Sequence, residues 1–111
     1  MMIASRVLKL QGTDRVVEIP IRVFAPEGAK SGAWSCRYEI DWPDGKWTMS
    51  AWGADSIQAI MVAFQMIGSE IYTSNYHKSG RLFLDAPGRG YGFPVPDSLR
   101  NLLEGDDATA S

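Results

Sequence analysis

His77 and Cys36 are the chain's lone imidazole and lone thiol. Hydrolytic base catalysis needs a nucleophile, a base and an orienting acid held together. No Ser, Cys or acid stands at a recognised spacing from His77. The imidazole falls in the expected last turn of a helix, where the macrodipole favours a cation, so its reading is structural. Cys36 alternates with Trp34 and Tyr38 on the apolar face of an expected strand. A thiol so placed behaves as a small, inert hydrophobe. One His and one Cys cannot assemble the usual zinc site, and Asp106-Asp107 lacks the ligand spacing of a calcium loop. No catalytic residue, metal site or cofactor is expected.

The most unusual local chemistry is Pro87-Gly88-Arg89-Gly90-Tyr91-Gly92-Phe93-Pro94. The backbone amides of such a loop, with Arg89, could cradle a phosphate. Neither nucleotide fingerprint is completed: no Gly-Lys-Ser/Thr follows, and no helix starts directly behind the loop. The reading is a tight loop whose Tyr91 and Phe93 tuck back against a sheet. Arg89 and Tyr91 stay candidates for a contact surface.

The elements that would position these groups come from periodicity. Residues 3–10 and 16–24 read as strands joined by the turn Gln11-Gly12-Thr13-Asp14. Val17, Ile19, Ile21 and Val23 share one face of the second strand, and Pro20 marks that strand as an edge or a bulge. Residues 25–32 read as a mobile loop. Residues 34–42 alternate cleanly, with Trp34, Cys36, Tyr38, Ile40 and Trp42 on one face. Pro43-Asp44-Gly45 turns the chain into a strand at 47–52, where Trp47, Met49 and Ala51 face inward and Trp52 faces away. Trp34, Trp42 and Trp47 read as core or core rim. Trp52 reads either as an interface anchor or as a ring covered by the first strand or the Gly-rich loop.

Residues 55–72 read as one buried helix. Asp55 and Gln58 form a capping box. Ile57, Ile60, Met61, Phe64, Ile67, Gly68, Ile71 and Tyr72 make the apolar stripe. Close approach to the sheet is the expected reason for Gly68, and the helix should end near 77–79 with Gly80 behind it. Its back carries Gln58, Ala59, Val62, Gln65, Met66 and Ser69, with no Lys, Glu or Arg. Such a face suits cover by a subunit, a partner or the chain's own C-terminal segment. Residues 81–84 suggest a last strand, Asp97-Ser98 caps a short final helix, and residues 104–111 should fray.

The 111 residues fit one domain, and a hydrophobic share of 45% can fill its core without metals or disulfides. A net charge of −2 with scattered basic residues leaves no electrostatic footprint for nucleic acid or an anionic membrane. No apolar run spans a bilayer, and no leader is evident at the N-terminus, so a cytoplasmic setting is the default.

The stretch Trp52-Gly53-Ala54-Asp55-Ser56-Ile57-Gln58-Ala59-Ile60, with Ile67-Gly68, Tyr72 and Gly80-Arg81-Leu82, resembles the central motif of a bacterial family of small proteins known only as a domain of unknown function. Tyr91-Gly92-Phe93-Pro94-Val95-Pro96 resembles it as well. The resemblance implies a bacterial one-domain protein and carries no activity.

The expectation is an α+β domain over residues 1–104: a curved antiparallel sheet of about four to five strands with one long helix packed across one face. Residues 105–111 form a flexible acidic tail. The expected function is non-catalytic protein–protein interaction, with a protein partner or a homodimer, through Trp52, Val62, Met66, Arg89 and Tyr91. A toxin-neutralising immunity protein is one such role. The alternative is a small-molecule binder or enzyme with a pocket near residues 87–94, drawing on His77, Arg81, Arg89 and Tyr91.

Overall fold

The computed structural model describes residues 1–110. Six strands form one sheet: β1 (Met2–Gln11), β2 (Val16–Phe24), β3 (Glu27–Gly28), β4 (Trp34–Trp42), β5 (Gly45–Gly53) and β6 (Leu82–Phe83). The order is β3-β4-β2-β1-β6, with β5 paired to β4. The fold is α+β, an antiparallel sheet with a helix packed against it, as the patterning implies. β3 is the strand the sequence does not mark: within the supposed loop, Glu27 and Gly28 pair with Ser35 and Trp34. β5 pairs along the whole of β4, from Trp34↔Gly53 to Trp42↔Gly45.

Pro20 does not make β2 an edge strand, because β2 lies between β4 and β1. The ladder to β4 begins at Ile21 and runs to Val23. Pro20, which has no N–H to give, therefore stands just outside it.

The chain divides into two compact units, residues 1–6 with 19–64, and residues 7–18 with 65 onward. The first buries Ile19, Ile21, Val23, Cys36, Tyr38, Ile40, Ala51, Ala59 and Ala63. The second buries Leu8, Leu10, Ile67, Ile71, Tyr72, Leu82, Tyr91, Phe93 and Val95.

The long helix, α1, runs Ser56–Tyr72. Its cap forms with one bond displaced: Asp55 Oδ1 accepts from Gln58 N at 2.8 Å, as in a capping box, but Gln58 Oε1 accepts at 2.6 Å from Ala54 N, one residue before the N-cap. The apolar stripe, however, is two faces. Ala59, Ala63, Ile67 and Ile71, spaced by four, are fully buried. Ile57 and Met61 stand 68% and 58% exposed. The buried line combines two alanines in the first half of the helix with two isoleucines in the second. Alanines let a helix axis lie close to its neighbour. Val62 and Met66, on the supposed back, are half-buried. The close approach at Gly68 is not to the sheet either. A Cβ there would lie 1.8 Å from the carbonyl oxygen of Pro94, so the end of the Gly-rich loop crosses the helix at that point.

α1 stops earlier than its periodicity suggests. Thr73 Oγ1 donates to Ser69 O and Ser74 Oγ donates to Ile71 O, each at 2.7 Å. Hydroxyls bonded this way compete with the helical ladder. Ser74, with ψ 152°, then caps a separate single turn, α2 (Asn75–Lys78), by accepting from His77 N. The final short helix is a 3₁₀ turn, Asp97–Leu102. The acidic end expected to fray holds a further helix, α3 (Asp106–Ala110), and a buried side chain, Asp107. Among the described residues, no helix is long and apolar enough to cross a membrane.

Candidate functional site

Two regions hold the residues that the sequence singles out. The first is β5, in the first unit. It pairs with β4 only. Its other edge has no strand beside it among the described residues, so it presents unpaired backbone donors and acceptors. The two faces of β5 differ. A Cβ on Gly53 would lie 2.5 Å from the amide nitrogen of Ala59, so the face of Gly53, Ala51, Met49 and Trp47 is the one α1 covers. Cover fails toward the turn: Ala51 is 1% exposed, Met49 38% and Trp47 36%. Trp47, expected in the core or at its rim, thus stands partly in solvent, its Nε1–H donating to Tyr38 Oη at 3.3 Å.

The opposite face is polar. Arg22 bonds Glu39 at 3.2 Å and Asp41 at 2.6 Å, and Arg37 bonds Glu39 at 2.8 Å. The Arg22 guanidinium donates to Asp41 and holds its carboxyl below the usual range. Trp52 lies on this face and is 57% exposed. An indole this open beside an unpaired strand edge is a typical anchor for a partner.

The second region is polar and internal to the second unit. The Gly-rich loop does bind an anion through its backbone amides, and that anion is the chain's own Asp107. Its carboxylate accepts from Tyr91 N and Gly92 N, each at 2.8 Å, and from Tyr72 Oη at 2.5 Å. Gly90 is required there: its φ is +89°, and a Cβ would lie 2.7 Å from the Asp107 carboxyl carbon. The sequence hides this role. Two adjacent acids in a small, polar tail look solvated, and the only local signal is the helix-compatible run behind Gly105.

His77, which has no partner by spacing, acquires two in space. Its Nδ1 lies 2.5 Å from Tyr91 Oη and its Nε2 lies 3.5 Å from Glu104 Oε1. The Tyr91 hydroxyl also lies 3.4 Å from Leu82 O, to which it can donate, so the imidazole is held between a phenol and a carboxylate. The rings of Tyr72, His77 and Tyr91 meet edge to face, with centroids 4.9–5.5 Å apart. Burial, then the charges of Glu104 and Asp107, pushes the Tyr91 phenol up. Burial and the bond to Asp107 do the same to Tyr72. Both phenols stay protonated at neutral pH, which makes them donors and not nucleophiles. Beside them opens a groove of about 600 Å³, lined by His77, Lys78, Tyr91, Asn101 and Glu104 among others. Arg89 points away, 65% exposed and 3.3 Å from Asp106, and Arg81 is exposed.

Cys36 is fully buried, and its Sγ lies 3.3 Å from the carbonyl oxygen of Phe24. Burial pushes its thiol up, away from the reactive thiolate. The candidate contact residues are therefore dispersed. Trp52 is open on β5, Val62 and Met66 are half-covered on α1, Arg89 is out in solvent, and Tyr91 is 4% exposed inside the polar cluster.

A family model described as a domain of unknown function (DUF6968) matches residues 4–95. Comparison with curated proteins and with solved structures returns no match.

Proposed function

The chain belongs to the DUF6968 family, a domain of unknown function, and from that starting point we propose that it is a non-catalytic protein-binding module of the bacterial cytoplasm that works through β5. The observation that carries this reading is the unpaired edge of β5, flanked by Trp52 on one face and by Met49 and Trp47 on the other. Main-chain pairing supplies affinity at such an edge, and the alternating side chains supply selectivity. Neutralising a toxin by covering its site, as an immunity protein does, is one use of such a surface. The test is capture from the source cells on wild-type protein and on the Met49→Lys, Trp52→Lys double variant, with sedimentation of the wild type alongside. A partner held by the wild type and lost from the double variant supports the reading. A wild-type chain that holds no protein and sediments as a monomer defeats it.

The groove beside His77 favours a second reading, a small-molecule site. The imidazole, Lys78, Asn101 and Glu104 together suit a small polar ligand. A ligand held at a hundred times its Kd would stabilise the fold by about 2.7 kcal/mol. A thermal-shift screen with nucleotides, sugar phosphates and carboxylic acids checks this, and no shift with any of them removes it.

A further inference from the structure

We infer that the occupant of the β5 edge is a second copy of β5, running antiparallel across a two-fold axis at Met49; this rests on the β5 reading above. A strand pairs well with itself only when its sequence reads acceptably against its own reverse. The dyad of an antiparallel pair stands perpendicular to the sheet, so inward residues must face inward residues. β5 runs Gly45–Gly53, and Met49 is its midpoint, so a dyad there engages every residue of the strand. On the inward face Met49 meets Met49 of the second copy, and the large Trp47 meets the small Ala51. On the outward face Thr48 meets Ser50, a hydroxyl pair, and Lys46 meets Trp52. The last pair sets an ammonium and its alkyl stem against an open indole, a favourable cation–ring contact.

Charge supports the same register. Lys46 is the only charged residue of β5. In this register it faces an uncharged ring and never its own copy, so no like charges oppose each other. The three exposed apolar side chains of the strand, Trp47, Met49 and Trp52, are all brought against another side chain by this one operation. No unrelated partner is needed to account for them.

The experiment uses sedimentation of the full chain across a wide concentration range, with charge-swapped variants. The wild type should self-associate to a dimer. Met49→Lys and Met49→Asp should each weaken association by about tenfold or more, because like charges then face each other at the axis. Mixing the two variants in equal amounts should restore a dimer, an outcome that simple misfolding of either cannot produce. Circular dichroism of each variant confirms its fold. A wild type that stays monomeric at every concentration overturns the self-pairing. If that monomer still captures a protein that Met49→Lys releases, the broader β5 reading survives and only the occupant changes. A dimer indifferent to both variants places the interface elsewhere and overturns the inference.

Discussion

Asp107 is a hydrogen-bonding centre of the second unit that the sequence does not recommend. Its carboxylate takes three donors, two of them backbone amides. Bonds to a charged acceptor contribute roughly 1.5–3 kcal/mol each, and orphaning buried donors is costly. Asp107→Ala should therefore lose about 3–5 kcal/mol, the range for breaking a buried charged network. Asp107→Asn keeps an acceptor oxygen and should lose less, while Tyr72→Phe should lose about 1 kcal/mol. Urea unfolding ranks the three, and a harmless alanine would mean that the bonds contribute nothing net. Asp41 makes a smaller, pH-dependent contribution. The hydrogen bond from Arg22 lowers its carboxyl below the ordinary value of 3.8. The unfolded carboxyl titrates at that ordinary value and the folded one lower. The stabilisation is thus complete above pH 3.8 and fades as pH falls through the folded value. The pair is partly solvated, so the contribution is about 1 kcal/mol or less. The stability gap between wild type and Asp41→Asn should hold from about pH 7 down to about pH 4 and narrow below that, and a gap that stays constant in acid contradicts the linkage.

At the scale of elements, every strand but the two-residue β3 was legible, because alternation and turn residues are local. Cys36, Tyr38 and Ile40 are buried where the period of two places them, and the turn at Pro43-Asp44 makes the hairpin. The facing of α1 was legible over its last turns, where Ile67, Gly68, Ile71 and Tyr72 are buried as the stripe places them, and not over its first turns. Two apolar directions run along it, and only tertiary packing decides between them. Ala59 and Ala63 face inward, and Ile57 and Met61 do not. This predicts opposite outcomes for similar truncations. Ile67→Ala should cost about 2–5 kcal/mol, as in a filled core. Ile57→Ala should change stability by no more than about 0.5 kcal/mol. Gly68→Ala should lose about 1–3 kcal/mol, because its methyl would collide with backbone at Pro94 and not with a side chain free to move. Denaturant melts of the three separate the faces; equal losses at Ile57 and Ile67 would restore the single-stripe picture. The polar site was hidden for the same reason. His77, Tyr91, Glu104 and Asp107 carry no common spacing, and they meet only after the chain has folded.

For the whole molecule, the span matched by the family is instructive. It covers residues 4–95 and so includes the strands, α1 and the Gly-rich loop. It leaves out the 3₁₀ turn, α3 and the link between them; Glu104 stands on that link and Asp107 on α3. The loop's amides at Tyr91 and Gly92 thus lie inside the matched span, while the carboxylate that satisfies them lies beyond it. Buried amides need an acceptor in any folded chain. A chain ending at Leu103 therefore leaves Tyr91 N, Gly92 N and Tyr72 Oη without their carboxylate, and His77 without Glu104. If Asp107 supplies most of what the C-terminal residues contribute, that truncation and Asp107→Ala should be destabilised to within about 0.5 kcal/mol of each other. Combining the alanine with the truncation is meaningless, so the comparison is between the two single changes, read by thermal and urea unfolding. A truncation much worse than the alanine would assign the remainder to the Glu104–His77 contact and the packing of Leu103's neighbours. A truncation as stable as the full chain would show that water serves the loop's amides as well as the carboxylate does.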